Sequence, residues 1–218
     1  MEFLYKTIKE YVRDEIVIEK SRFIATAIPC NSKEEADEFF DDIKREFKDA
    51  THNVPAFIVG NKMELKWASD DGEPQGTAGP PILRFLEAKG ITNVAVCVTR
   101  YFGGIKLGTG GLVRAYTESV ESVVREENIA MALPIASAKI TMEYPEYNRV
   151  SSYRFPEEIK ETLEIKNVEF GEKVVANLSC HRDVYEETVK VLEGICNGRI
   201  EFSQPVESIG LVSLTTST

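Results

Sequence analysis

Between Ile16 and Ile28 apolar and polar residues alternate, which predicts a β-strand, and Tyr5 to Val12 is the nearest segment able to pair with it. The period then changes. Ser32 with Glu35 three residues on has the form of a capping box, and Ala36, Phe39, Phe40, Ile43 and Phe47 follow at helical spacing. Strands are predicted over 55–59 and 63–67. Pro80 and Pro81 can open a helix that runs to Lys89 and stops at Gly90. The run from Ile91 to Thr99 is β-branched and apolar on both faces, which predicts a central strand. Leu112, Val113, Tyr116, Val120, Val123 and Val124 mark a helix that extends to about Glu127.

After Leu133-Pro134 the pattern changes again. A strand over 138–144 is followed by a short helix over 146–154. A hairpin is predicted over 162–180 around Gly171-Glu172, then a helix over 183–195 with Asp183 as its cap, and a strand over 199–203. The order βαββαβ is the ferredoxin-like pattern. The fold class expected is α+β in two domains, 1–134 and 135–204, with residues 205–218 as a tail that is either an added strand or disordered.

The 218 residues are ample for a buried core, and 43% hydrophobic with 28% charged residues is ordinary for a globular chain. No apolar run approaches the ~20 residues of a membrane span, so no membrane partner is expected. Met1 to Lys6 carries no basic lead into an apolar core, so no signal peptide is expected and the cytoplasm is the expected location. Cys30, Cys97, Cys180 and Cys196 have no C-x-x-C spacing and read as reduced structural thiols. With His52 and His181 the only histidines, a zinc site is not expected.

Nine of the 14 glycines (72, 76, 79, 90, 103, 104, 108, 110 and 111) fall between Ser69 and Tyr116, a density that suggests backbone shaped for close approach. The net charge of −10 opposes indiscriminate nucleic-acid binding. Locally the balance inverts, since Arg84, Lys89, Arg100, Lys106 and Arg114 face only Glu87 between Gly76 and Tyr116. An acidic loop precedes this basic segment. Asp70, Asp71 and Glu73 offer hard oxygens suited to Mg²⁺, and the same residues with Gly76 and Thr77 suit an exposed turn.

The second glycine loop lies between a strand and a helix, where the backbone N–H groups of Thr109 to Gly111 could hold an anion. It is no Walker loop, because no Gly-Lys-[Ser/Thr] follows the glycines, and no dinucleotide loop, because Val113 stands where that pattern needs glycine. Arg100, Lys106, Thr109, Gly110 and Arg114 are the candidate anion or nucleic-acid contacts, and Tyr101 or Phe102 could stack a base. One of those two rings is expected to point into the core. His52 could titrate near neutrality, but no nucleophile partner is recognisable beside it.

The stretches Glu19-Lys-Ser-Arg-Phe-Ile-Ala25, His52-Asn53, Ser69 to Leu83, Arg100-Tyr-Phe-Gly-Gly104 and Gly110-Gly-Leu-Val-Arg-Ala-Tyr116 together resemble the IMPACT family, in its bacterial YigZ branch. The resemblance implies an N-terminal domain like the second domain of ribosomal protein S5, a superfamily that also holds GHMP-type kinases. It also implies a C-terminal ferredoxin-like domain similar to the last domain of elongation factor G. Eukaryotic relatives are linked to control of translation initiation by competing for a regulator of the general-control kinase, and they carry an extra protein-binding domain that is not expected here, so that specific role is not expected to transfer. The first functional reading is a cytoplasmic, nonenzymatic factor that binds RNA or a ribosome-related surface in translation, with no cofactor. Two others stand beside it: a Mg²⁺-dependent enzyme acting on a phosphorylated small molecule or nucleotide, and a module that binds a protein partner.

Overall fold

A computed structural model describes residues 3–213. The chain divides into two compact units, Leu4–Met131 and Ala132–Val212. None of the described helices is long and apolar enough to cross a membrane.

The first unit contains β1 (Tyr5–Ile8), β2 (Val12–Ile18), β3 (Ser21–Pro29), α1 (Lys33–Glu46), β4 (His52–Val59), β5 (Leu65–Ala68), α2 (Gly79–Lys89), β6 (Val94–Tyr101) and α3 (Gly108–Val123). Five of its strands form an antiparallel sheet in the order β2-β3-β6-β4-β5, with β6 at the centre. Both faces of β6 are covered, which is why it is apolar throughout. Ala95 and Cys97 meet Phe39, Phe40 and Ile43 of α1 on one side. On the other, Val94, Val96 and Val98 share a core with Ile82 and Leu86 of α2 and with Leu112, Tyr116 and Val120 of α3. β1 pairs with β7 (Ile129–Met142), whose first residues, Ile129–Met131, belong to this unit.

Ser32 caps α1 through its hydroxyl, which accepts from Glu35 N–H at 3.1 Å. Glu35 reaches back one residue further than a capping box requires, accepting from Asn31 N–H at 2.8 Å. Gly90 ends α2 in the left-handed conformation at φ 68°.

The expected single strand over 16–28 is instead a hairpin. The chain reverses at Glu19 and Lys20, both at positive φ (46° and 62°), and β3 pairs with β2 rather than with Tyr5 to Val12. A two-residue hairpin loop requires this backbone, but neither residue is the Asn or Gly that signals it. The next helix boundary also moves, because α3 begins at Gly108, one turn before its first apolar residue.

The second unit continues β7 and adds α4 (Tyr144–Ser152), α5 (Glu157–Lys160), β8 (Glu164–Phe170), β9 (Val174–His181), α6 (Tyr185–Ile195), β10 (Ile200–Phe202) and β11 (Val206–Ser213). β9 lies between β7 and β8, and β10 and β11 pair with β7. Ile140, Val150, Leu178 and Leu192 are among the residues of its core. The described part of the expected tail is thus a strand, and 214–218 lie outside the described residues. Asp183 is not the cap of the last long helix. Its N–H instead donates to the ring Nδ1 of His181 at 3.1 Å within a short 3₁₀ turn, and α6 starts at Tyr185.

Two glycines separate close approach from mere flexibility. A Cβ on Gly103 would stand 2.0 Å from the backbone carbonyl of Lys20, where no flexible side chain can yield. A Cβ on Gly110 would meet nothing within 4 Å. Gly103→Ala should therefore cost about 1–3 kcal/mol. Gly110→Ala should be neutral or stabilising by up to about 1 kcal/mol. Urea unfolding midpoints of the two variants check both expectations.

Candidate functional site

The acidic loop is closed by its own backbone. The carboxylate of Asp70 accepts from the N–H groups of Gly76 at 2.7 Å and of Ala78 and Gly79 at 3.0 Å, so it serves the start of α2, which has no cap of its own. Asp71 accepts from Asn53 N–H at 2.6 Å, and the Thr77 hydroxyl donates to the Pro74 carbonyl at 2.6 Å. Gly72 and Gly76 adopt φ of 84° and 79°, which lets the chain turn this tightly.

This folding aims Glu73 inward. Its side chain is only 4% exposed, and Oε1 lies 2.6 Å from Nη1 of Arg100. The Tyr116 hydroxyl donates to the same oxygen at 2.8 Å. Burial, and then the adjacent Glu73 carboxylate, push the Tyr116 phenol far above its ordinary range. Arg100 is 5% exposed, donates to the Ser21 hydroxyl at 3.4 Å, and lies 5.3 Å and 5.5 Å from the ring centres of Phe23 and Phe102. Sheet register assembles this row, since β6 places Arg100 opposite Phe23 of β3 and opposite His52 of β4.

His52 completes the cluster, with Nε2 3.8 Å from Glu73 Oε1 and Nδ1 2.7 Å from the Asp71 carbonyl. A carbonyl can only accept, so Nδ1 carries the proton and Nε2 of the neutral ring is an acceptor. A pocket of about 450 Å³ opens beside it. Glu73, Arg100 and Leu112 form its buried lining, while Phe102, Lys106, Gly108 and Thr109 line it from exposed positions. No side chain caps the N-terminus of α3, so the N–H groups of its first turn are directed out of the helix at this point.

Three sequence expectations change. Asp70, Asp71 and Glu73 do not converge on one point: Asp70 turns to the start of α2, Asp71 to Asn53 N–H, and Glu73 inward to Arg100. Among the described residues no group of three His, Cys, Asp or Glu side chains is placed to hold a metal ion. Arg100 is not a free phosphate contact, since its charge is met by Glu73. Neither ring beside it enters the core. Phe102 is 45% exposed, and Tyr101 is half-buried, with its hydroxyl on Asp49 at 3.0 Å and Arg22 over its ring. Arg100 is the inward residue at this end of β6.

Lys106, Thr109, Gly110 and Arg114 are exposed, with Gly110 and Arg114 on one helix face by their i, i+4 spacing. Nothing in the local pattern of the sequence marks Glu73 as buried or sets His52 beside it.

Removing one partner of a buried ion pair leaves the other charge uncompensated, so Glu73→Ala should cost about 3–5 kcal/mol. Tyr116→Phe should cost about 0.5–1.5 kcal/mol, because Glu73 keeps Arg100. The folded state favours the neutral Tyr116 phenol, whereas the unfolded phenol ionises near pH ~10. This contribution to stability is therefore full below that pH and declines as pH rises above it. Chemical denaturation of wild type and Tyr116→Phe from pH 7 to 11 should show the variant with a shallower alkaline loss.

The family model of the Impact N-terminal domain matches residues 19–124, a span that contains the whole cluster and pocket. A Bacillus subtilis (strain 168) protein, IMPACT family member YvyE, is 42% identical over 170 residues, covering 76% of this chain and 77% of that one. Escherichia coli (strain K12) IMPACT family member YigZ is 38% identical over 130 residues, covering 58% and 63%. A crystal structure described as a hypothetical protein is 28% identical and covers 91% of this chain and 95% of its own, with a TM-score of 0.57. With the domain matched across the site and a relative aligned over most of both chains, the chain belongs to the IMPACT family.

Proposed function

We propose that the first unit binds RNA or a ribonucleoprotein surface and that the protein acts in the regulation of translation. The observation that carries this reading is the composition of one pocket. An exposed aromatic ring, Phe102, stands with Lys106, Thr109 and the uncapped start of α3 around a single opening. An aromatic face stacks any base, and helix N–H groups with a lysine suit a phosphate. Arg114, exposed further along α3, extends the basic side. The acidic remainder of the chain, at net −10, weakens contacts made by phosphate charge alone and so favours binding confined to this opening. The translational setting rests on the resemblance of both domains to parts of a ribosomal protein and an elongation factor, which is analogy of fold. The Mg²⁺-dependent reading would require Asp70, Asp71 and Glu73 to turn from their present partners toward one point.

Fluorescence anisotropy with short single-stranded RNA at low salt tests the proposal. Wild type should bind with an affinity that falls as salt rises. Lys106→Ala combined with Arg114→Ala should weaken binding and flatten the slope of log K against log salt by about 0.7 for each phosphate that is no longer neutralised. Absence of binding to RNA and to ribosomes at low salt would overturn it.

A further inference from the structure

Inside the pocket the polar groups are of a different kind from those at its opening. Resting on the RNA-binding reading above, we infer that the pocket reads the ribose of one nucleotide and selects RNA over DNA of the same sequence. In this arrangement a phosphate lies at Lys106 and the start of α3, a base lies on Phe102, and the 2′-hydroxyl meets His52 and Glu73.

Unmatched donors and acceptors define what fits. In the neutral ring the bond from Nδ1 to the Asp71 carbonyl leaves Nε2 of His52 as an acceptor. Oε1 of Glu73 is occupied by Arg100 and Tyr116, while Oε2 takes no hydrogen bond from the described residues. Arg100 adds the opposite need, because its Nε–H is buried and without a partner among the described residues. These three residues line the same pocket. A ligand ammonium could only donate and a phosphate oxygen could only accept. A hydroxyl does both, and the 2′-hydroxyl is the group that distinguishes RNA from DNA. A volume of about 450 Å³ lies within the range of small-ligand sites, enough for one nucleotide and not for a duplex.

The test measures anisotropy of three labelled single strands of one sequence: RNA, DNA, and 2′-fluoro RNA, which keeps a ribose-like pucker without the hydroxyl proton. Wild type should bind RNA about tenfold tighter than either analogue, the loss expected when buried polar groups go unmatched. Lys106→Ala should weaken all three in parallel and leave the ratio unchanged. His52→Ala should bring the ratio close to one. The comparison of three ligands on wild type needs no variant, so a folding defect in His52→Ala cannot hide the answer. Equal affinity for all three strands would overturn ribose reading while leaving nucleic-acid binding intact. Binding to none would overturn both readings. A tenfold preference that survives in folded His52→Ala would overturn the assignment to His52.

Discussion

Glu73 and Arg100 are charged groups held 2.6 Å apart with almost no access to water. Removing such ions from solvent costs several kcal/mol each, and mutual attraction offsets this only with good geometry and further hydrogen bonds. These conditions are met in part here: Tyr116 donates to the carboxylate and Ser21 accepts from the guanidinium, while Arg100 Nε–H has no partner among the described residues. The pair therefore constrains four segments at once: the acidic loop, the centre of the sheet, the β2–β3 turn and α3. An apolar replacement of similar volume could be as stable. What the ion pair adds is a fixed position for His52, Phe102 and the pocket they line.

The glycines of this region answer to three different needs. Gly72 and Gly76 supply positive φ, so that the loop can double back and let Asp70 reach the start of α2. Gly103 has no such requirement and is there for space, with its N–H donating to Ser21 at 3.2 Å against the Lys20 carbonyl. Gly110 serves neither purpose, and it leaves the first turn of α3 bare beside the pocket. Density of glycine thus marks a region without saying which residue faces a ligand.

Period-based features were legible in the sequence. The apolar face of α1, its Ser32 cap and the double-sided apolarity of β6 all follow from local spacing that the folded chain retains. The β2–β3 turn was not legible, because Glu19 and Lys20 take positive φ without the residues that usually announce it. The site was less legible for a deeper reason. The acidic loop and the basic segment read as opposed patches, yet their central members, Glu73 and Arg100, neutralise each other 27 residues apart. Charge counting along a chain cannot see a pair made by folding. Nor can spacing place His52 beside Arg100, since their register depends on a strand order that joins β4 to β6 non-locally.

Once that pair is taken out of the count, the electrostatics of the site change scale. Lys106, which lines the pocket, acts over a screening length of about 8 Å at physiological salt, within a chain whose net charge is −10. For the nucleic acid proposed above, the net charge opposes approach at long range, and Lys106 acts only close to the pocket that it lines. Under that proposal, affinity would come from short-range terms such as stacking on Phe102, helix N–H groups and matched polar atoms around His52. Such terms depend on distance and angle more steeply than charge does. A rigid, buried ion pair is the kind of foundation they require.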